Sequence, residues 1–433
     1  MALINQPRVW STISITRKDR RSFVKACVER SHPVALDVTV DASKVGRIHS
    51  GCTCDKGRRE RLLPNESNPC EWHFQFEPLA EIKHSDRIHA LNISFENDWP
   101  PSEERAWFAL GSCRFFTSTF PRLTTLVWKN EWMKHAKHLF STPPFVPTLR
   151  SLTYVGSWNG LTAPVNNLTS FVFEGNLGPD RTRTEDFRSF LFNNRSLESL
   201  GVKYAEFEGD SIGPPVCLSN LKSLDVGLAD NKLPTMIRAP ALRHLSSLRI
   251  GSDDDAEYYT LYATGDGIVF SASCPPSGLT ETWEDFTRYA RPTIHHVHLE
   301  DSVGAVEFYS DTTFASVLLD AHTLEIGDCL FPFWYGGFLD DLKQLGPQLK
   351  TTRFAISEEL DPFPEDGDDT GIWGDELFDG IEELVRYRFS QGRPFSAVER
   401  MVTSKSERTN RGQDFVWRCF YNSRELGRYV QPA

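Results

Sequence analysis

The feature that most limits what this chain can fold into is a short apolar spacing that keeps returning: apolar, two residues, apolar, one residue, apolar. It occurs as Ile88-Leu91-Ile93, Leu123-Leu126-Trp128, Leu149-Leu152-Tyr154, Leu168-Phe171-Phe173 and Leu197-Leu200-Val202. It returns as Leu221-Leu224-Val226, Leu245-Leu248-Ile250 and Ile294-Val297-Leu299, with weaker copies at Ala321-Leu324-Ile326 and over residues 349–356. Successive middle positions lie 35, 26, 19, 29, 24, 24, 49, 27 and 28 residues apart. The last two apolar positions are two residues apart, so on a strand both point to one face. A short strand with a single apolar face cannot bury it alone, whereas copies laid side by side can.

Most of these intervals fall in or near the roughly 20–29 residues of leucine-rich repeats. The chain is therefore expected to be α/β: an irregular leucine-rich-repeat-like solenoid with a parallel inner sheet over residues 81–375. Residues 1–80 form a small helical N-terminal remnant and cap, and residues 376–433 a C-terminal cap over the last apolar edge. The 49-residue interval hides a lost repeat or an insertion. Within 253–290, two strand-like runs (258–263 and 268–273) flank Thr-Gly-Asp-Gly, which predicts a hairpin. Helices are expected at 20–30, at 185–192 with Thr184 as N-cap, at 340–345 and at 377–389. Further strands are expected at 34–40 and 397–403.

At 39% hydrophobic and 12% aromatic residues, the 433-residue chain has a folding composition. No apolar run approaches the roughly 20 residues of a membrane helix, and the first residues lack the pattern of a secretory leader. The expectation is an intracellular protein, cytoplasmic or nuclear, with no membrane partner and its nine cysteines reduced. The net charge of -12 excludes nucleic-acid binding by a broad basic face. Twelve of the 59 acidic residues lie between Glu358 and Glu383, where there is no Lys or Arg; the other 47 balance the 47 basic residues. Such a block reads as a solvated loop.

The opening Pro7-Arg8-Val9-Trp10-Ser-Thr-Ile13 continues through Cys27-Val28-Glu29-Arg30-Ser31-His32-Pro33-Val34-Ala35-Leu36-Asp37. Together with the closing Leu384-Val385-Arg386-Tyr387-Arg388 and Pro394-Phe395, it resembles the F-box-like proteins of mushroom-forming fungi. In those, a Pro-x-Leu-Trp-x-x-Ile box tail leads into a helix ending in a Leu-x-Arg-Ser motif and then a strand. The resemblance implies a substrate receptor of a ubiquitin ligase, with the adaptor Skp1 and a cullin as partners and Pro7 and Trp10 as remnants of the box. The part of the box that grips Skp1, with its Leu-Pro start, has no match in this sequence.

Signals for chemistry are weak. Gly209-Asp210-Ser211-Ile212-Gly213 matches a nucleophile elbow, but Pro214-Pro215 is poor material for the helix that must follow. Cys52, Cys54, Cys70 and His73 are zinc-type ligands with a Cys-x-Cys spacing that structural zinc sites rarely use. The acidic runs 253–255 and 361–369 lack the order of calcium loops. No phosphate-binding loop or dinucleotide fingerprint is present. No enzyme activity, cofactor or metal is expected. A hydrolase using Ser211 is the least favoured alternative, behind a stand-alone repeat scaffold without a ubiquitin role.

The expected function is non-catalytic recognition of a protein target by the concave sheet. Residues next to the core positions project from it: Lys203, Asp225, Arg249, His296, His298, Glu300, Glu325 and Arg353, with the smaller Ser151, Thr153 and Ser170 in earlier repeats. His296 and His298, two apart on one strand, share the face opposite Val297 and Leu299. That spacing is compatible with a metal, but no third ligand is placed by sequence.

Overall fold

The computed structural model describes residues 6–15, 21–41, 85–95, 119–130, 146, 148–156, 158, 165–175, 181–209, 213–227, 233–252, 259–274, 284, 286, 290, 292–299, 317–326, 339–340, 342–357, 372–403 and 416–417. The chain is α/β with mostly parallel strands and few helices. It divides into two units, Met1–Leu221 with Thr235–Ile237, and Lys222–Pro234 with Arg238–Ala433.

The first unit opens with a 3₁₀ turn, Pro7–Trp10, then strand β1 (Thr12–Ile15), helix α1 (Arg21–Arg30) and β2 (Leu36–Asp41). It continues through β3 (Ile88–Phe95), β4 (Thr125–Asn130), β5 (Ser151–Val155) and β6 (Ser170–Glu174). β7 (Thr182–Arg183), helix α2 (Thr184–Asn193), β8 (Ser199–Lys203), β9 (Phe207–Glu208) and β10 (Val216–Cys217) complete it. Strands β1, β2, β3, β4, β5, β6 and β8 lie side by side, all parallel. Their register sets Ile13, Val38, Leu91, Leu126, Leu152, Phe171 and Leu200 in one row. The middle apolar residue of each repeat thus meets its counterpart across the sheet. All of these except the half-buried Leu126 are buried.

The second unit holds β11 (Ser223–Gly227), β13 (Ser247–Ser252), β14 (Tyr259–Gly265), β15 (Ile268–Cys274), β16 (His296–Leu299) and β17 (Thr323–Ile326); the two-residue β12 (Ile237–Arg238) comes between β11 and β13 in sequence. It ends with β18 (Thr351–Ser357), helix α3 (Ile372–Ser390), β19 (Ala397–Thr403) and β20 (Val416–Trp417). In space the order is β11-β15-β14-β13-β16-β17-β18-β19-β20. Here the 49-residue interval is explained. The hairpin β14–β15 folds back between β11 and β13, leaving β13 free to pair directly with β16. Two antiparallel steps restore the strand direction, so β15 runs parallel to β11. Asp266 and Gly267, with φ of 47° and 76°, make the tight turn. The row of middle positions again runs through: Leu224, Phe270, Ala263, Leu248, Val297, Leu324, Thr352 and Val398.

A backbone motif accompanies the apolar one. The first residue of a repeat donates its N–H to the carbonyl three residues back: Leu123, Leu149, Leu197, Leu221, Leu245, Ala321 and Leu349 do so at 3.0–3.3 Å. The residue that follows offers one carbonyl to two successive N–H groups of the next strand. Thr124 O accepts from Arg150 and Ser151, Arg150 O from Thr169 and Ser170, and Thr169 O from Glu198 and Ser199. In the second unit Ser246, His295, His322 and Lys350 repeat the pattern. Backbone groups at each strand entrance are satisfied in the same way, so the strands keep one register.

The helices between strands pack differently in each unit. In the first, helix α2 lays Phe187, Phe190 and Leu191 inward at helical spacing. Trp158 meets Phe173, Phe187 and Phe190 edge-on at 5.0–5.3 Å, the arrangement aromatic rings prefer. Thr184 is not the N-cap; Arg183 is, and Thr184 is already helical. Its hydroxyl is engaged elsewhere, donating to the carbonyls of Glu208 and Gly209. In the second unit, α3 begins five residues earlier than expected, so the end of the acid-rich block is helix rather than loop. There Glu382 pairs with Arg386 one turn on, and Glu383 pairs with Lys343 at 2.8 Å.

Two buried guanidinium groups hold carbonyls that no helix or strand can use. Arg87 donates to the carbonyls of Val28 and Val34 and to the hydroxyl of Ser31, which itself donates to Val28. This ties the end of α1 to the start of β3. Arg388 of α3 donates to the carbonyls of Leu342, Leu345, Gly346 and Leu349 and lies 4.7 Å from the centre of the Phe395 ring. Burial, with Arg393 nearby, pulls its pKa down to about 10. Among the described residues no helix is long and apolar enough to cross a membrane.

Candidate functional site

The second unit gathers most of the side chains expected at a recognition surface. Arg249, His298, Glu325 and Arg353 are each the residue after a middle core position, and the register sets them opposite one another on β13, β16, β17 and β18. Because the middle positions align, the residues beside them align on the other face. Alternation settles that face: Leu248, Ile250, Val297 and Leu299 are buried, whereas Arg249 is exposed and His298 half-exposed. The row extends the other way to Tyr262, Ser271 and Asp225 on β14, β15 and β11.

Glu325 is its organising group. Its side chain is only 10% exposed. Oε1 accepts a hydrogen bond from Nη1 of Arg353. Oε2 lies 3.3 Å from Nε2 of His296 and 3.4 Å from Nδ1 of His298. His296 Nε2 makes no hydrogen bond in this contact. Burial alone would raise the carboxyl pKa; His296 and Arg353 beside it reverse that and hold it at about 2. The sequence left the two histidines without a third group, and the strand register supplies Glu325. Among the described residues no group of three His, Cys, Asp or Glu side chains is arranged to hold a metal.

The other expected residues are placed apart. Lys203 is at the end of β8 in the first unit, in a row with Glu174, Val155 and Lys129. Ser151 and Ser170 pair across β5 and β6, and Thr153 faces Val172. Pro7 opens the 3₁₀ turn, and Arg30 lies 4.6 Å over the ring of Trp10, joining that turn to α1. Glu300, Ser211, Cys52, Cys54, Cys70, His73 and the runs 253–255 and 361–369 lie outside the described residues. After Gly213 the described chain enters the extended pair Val216–Cys217, not the helix of a nucleophile elbow. Tyr262, 41% exposed, was missed. Its signal is the alternation Leu261-Tyr262-Ala263, which becomes informative only once the hairpin is known to enter the sheet.

No protein-family model matches the chain, and no curated protein matches it.

Proposed function

We propose that this chain is a non-catalytic protein-recognition module: an irregular leucine-rich-repeat-like solenoid whose sheet face holds a protein target, as in the substrate-binding part of an F-box protein. The observation that carries the reading is the row Tyr262-Arg249-His298-Glu325-Arg353. Five adjacent strands present aromatic, cationic and anionic groups side by side on a face that the core does not use. Aromatic and arginine side chains are the groups that anchor protein interfaces. The apolar triplet and the paired hydrogen bonds at each strand entrance support the repeat assignment, because one local unit recurs with return segments of different length. Any ubiquitin chemistry would belong to partners.

The test is affinity purification from the native cell with the wild-type chain and with Arg249→Glu in parallel, followed by mass spectrometry. Arg249 is the variant of choice because it is exposed. Reversing Arg353 would instead set two carboxylates against each other at Glu325. Proteins enriched by the wild type and lost from Arg249→Glu support the recognition face, and Skp1 and a cullin retained by both support the receptor role. The same set retained by both, without Skp1, removes both readings.

A further inference from the structure

We infer that the β14–β15 hairpin is an inserted specificity element: the sheet closes without it, and its presence decides which side chain stands beside Arg249 on the recognition face. The inference rests on the recognition reading and adds the part of the chain that sets what the face can hold.

Spacing is the first observation. On β4, β5, β6 and β8, and again on β16, β17 and β18, directly paired strands have their middle positions 19–29 residues apart. Leu224 and Leu248 are 24 residues apart, an ordinary interval, yet the hairpin stands between β11 and β13. Strands β13 and β16 do pair, but across 49 residues. Taking out the 22 residues 254–275 brings that interval to 27, the value between β16 and β17. One excision thus makes both intervals ordinary. Direction and register agree with it. The two antiparallel steps of the hairpin leave β11 and β13 pointing the same way, with Leu224 and Leu248 in one row. Brought together, they form a parallel pair with no slip. The hairpin also carries its own inward layer, large against small: Phe270 lies opposite Ala263 and Leu261 opposite Ala272, all four buried.

The consequence falls on the other face. With the hairpin in place, Arg249 has Tyr262 opposite it on one side and His298 on the other. Without it the row reads Asp225-Arg249-His298, because Asp225 follows Leu224 as Arg249 follows Leu248. An exposed aromatic ring is exchanged for a carboxylate. Tyrosine is enriched where proteins meet and often anchors the contact, whereas aspartate is depleted there.

The experiment compares the full chain with one in which Asp253 is joined to Pro276, each carrying Asp225→Cys and Arg249→Cys. In the full chain these positions are three strands or about 14 Å apart; in a closed sheet they are about 4.8 Å apart, within reach of a disulfide. The excised chain should unfold cooperatively, at lower urea because the stack of Phe270 on Phe286 is given up. After mild oxidation, mass spectrometry of its peptides should find the 225–249 disulfide at least tenfold above the full chain. No such enrichment, or no cooperative unfolding, overturns the insertion. Tyr262→Ala in the full chain, with the thermal midpoint of the wild type, tests the specificity role whether or not the excised chain folds. In the affinity purification described above, it should lower at least fivefold the proteins that the wild type enriches and Arg249→Glu loses. Unchanged enrichment overturns the specificity role and leaves the recognition face standing. If Arg249→Glu itself loses nothing, the recognition reading falls and the specificity role with it.

Discussion

Glu325 accepts a hydrogen bond from Arg353 straight across β17 and β18, and the same carboxylate lies beside two imidazoles of β16. Its pKa of about 2, against 4.5 for the free group, makes this contact a source of pH-dependent stability. The folded value is depressed. The contribution is therefore complete above pH 4.5 and is lost as the pH falls towards 2. Allowing for the part-exposed Arg353, it amounts to about 2–3 kcal/mol. Urea unfolding at pH 7 and at pH 3 checks it. Wild type should lose part of this amount on acidification, and Glu325→Gln should lack that component while being less stable at pH 7.

Arg388 offers a different kind of buried charge, held by carbonyls rather than by a carboxylate. Arg388→Met keeps roughly the volume but takes the guanidinium from the carbonyls of Leu342, Leu345 and Leu349, and from that of Gly346, which keeps the N–H of Leu349. Unsatisfied buried acceptors cost about 1–3 kcal/mol each, less where water can enter. A loss of about 3–4 kcal/mol is expected in equilibrium urea unfolding. Arg388→Lys should recover only a minor part, because a compact ammonium cannot span four acceptors. A loss under 1 kcal/mol in the Met variant would show that these carbonyls are already served by solvent.

Two glycines of the hairpin matter for opposite reasons. Gly267 has a φ of 76° with open space around it, so Gly267→Ala meets only backbone strain of about 1 kcal/mol. A Cβ on Gly265 would stand 2.2 Å from the carbonyl oxygen of His244 and 2.9 Å from the backbone nitrogen of Ser246. Backbone cannot rotate away as a side chain can, so Gly265→Ala should cost several times more than Gly267→Ala. Because β14 pairs with β13 at this point, the larger loss should be accompanied by faster amide exchange in 247–252. Equal losses would mean that the hairpin does not approach residues 244–246 so closely.

Where the sequence was legible, one local pattern sufficed. The triplets of β3 to β6, β8, β11, β13, β16 and β17 could be read because each strand carries its own two inward residues. Since β13, β16 and β17 share one register, the row Arg249-His298-Glu325 could be read as well. Strand β19 has the expected limits, 397–403. Strands β1 and β2 were set apart from the repeat although Trp10-Ile13-Ile15 and Ala35-Val38-Val40 carry its spacing. In the first, the Trp was taken for part of another motif; in the second, the leading residue is a small, exposed Ala. The place of Tyr262 was not legible at all. Which two strands a hairpin enters between depends on pairing across the sheet, and no local spacing records that.

Thr352 shows what a weak copy of the repeat costs. It occupies the middle position that is Leu324 on the neighbouring strand and Val398 on the next. It is 1% exposed, and its hydroxyl has no hydrogen-bond partner among the described residues. A buried hydroxyl without a partner keeps its desolvation penalty and returns nothing. Thr352→Val exchanges that hydroxyl for a methyl group of similar size in an apolar row, so it should stabilise the chain by about 1 kcal/mol. Thr352→Ser keeps the hydroxyl and opens a methyl-sized gap, so it should destabilise by a similar amount. Urea midpoints of the two variants therefore ought to move in opposite directions. If both fall, the Thr352 hydroxyl has a partner that valine cannot replace, and residue 352 is a polar site of the repeat rather than an imperfect copy of its leucine.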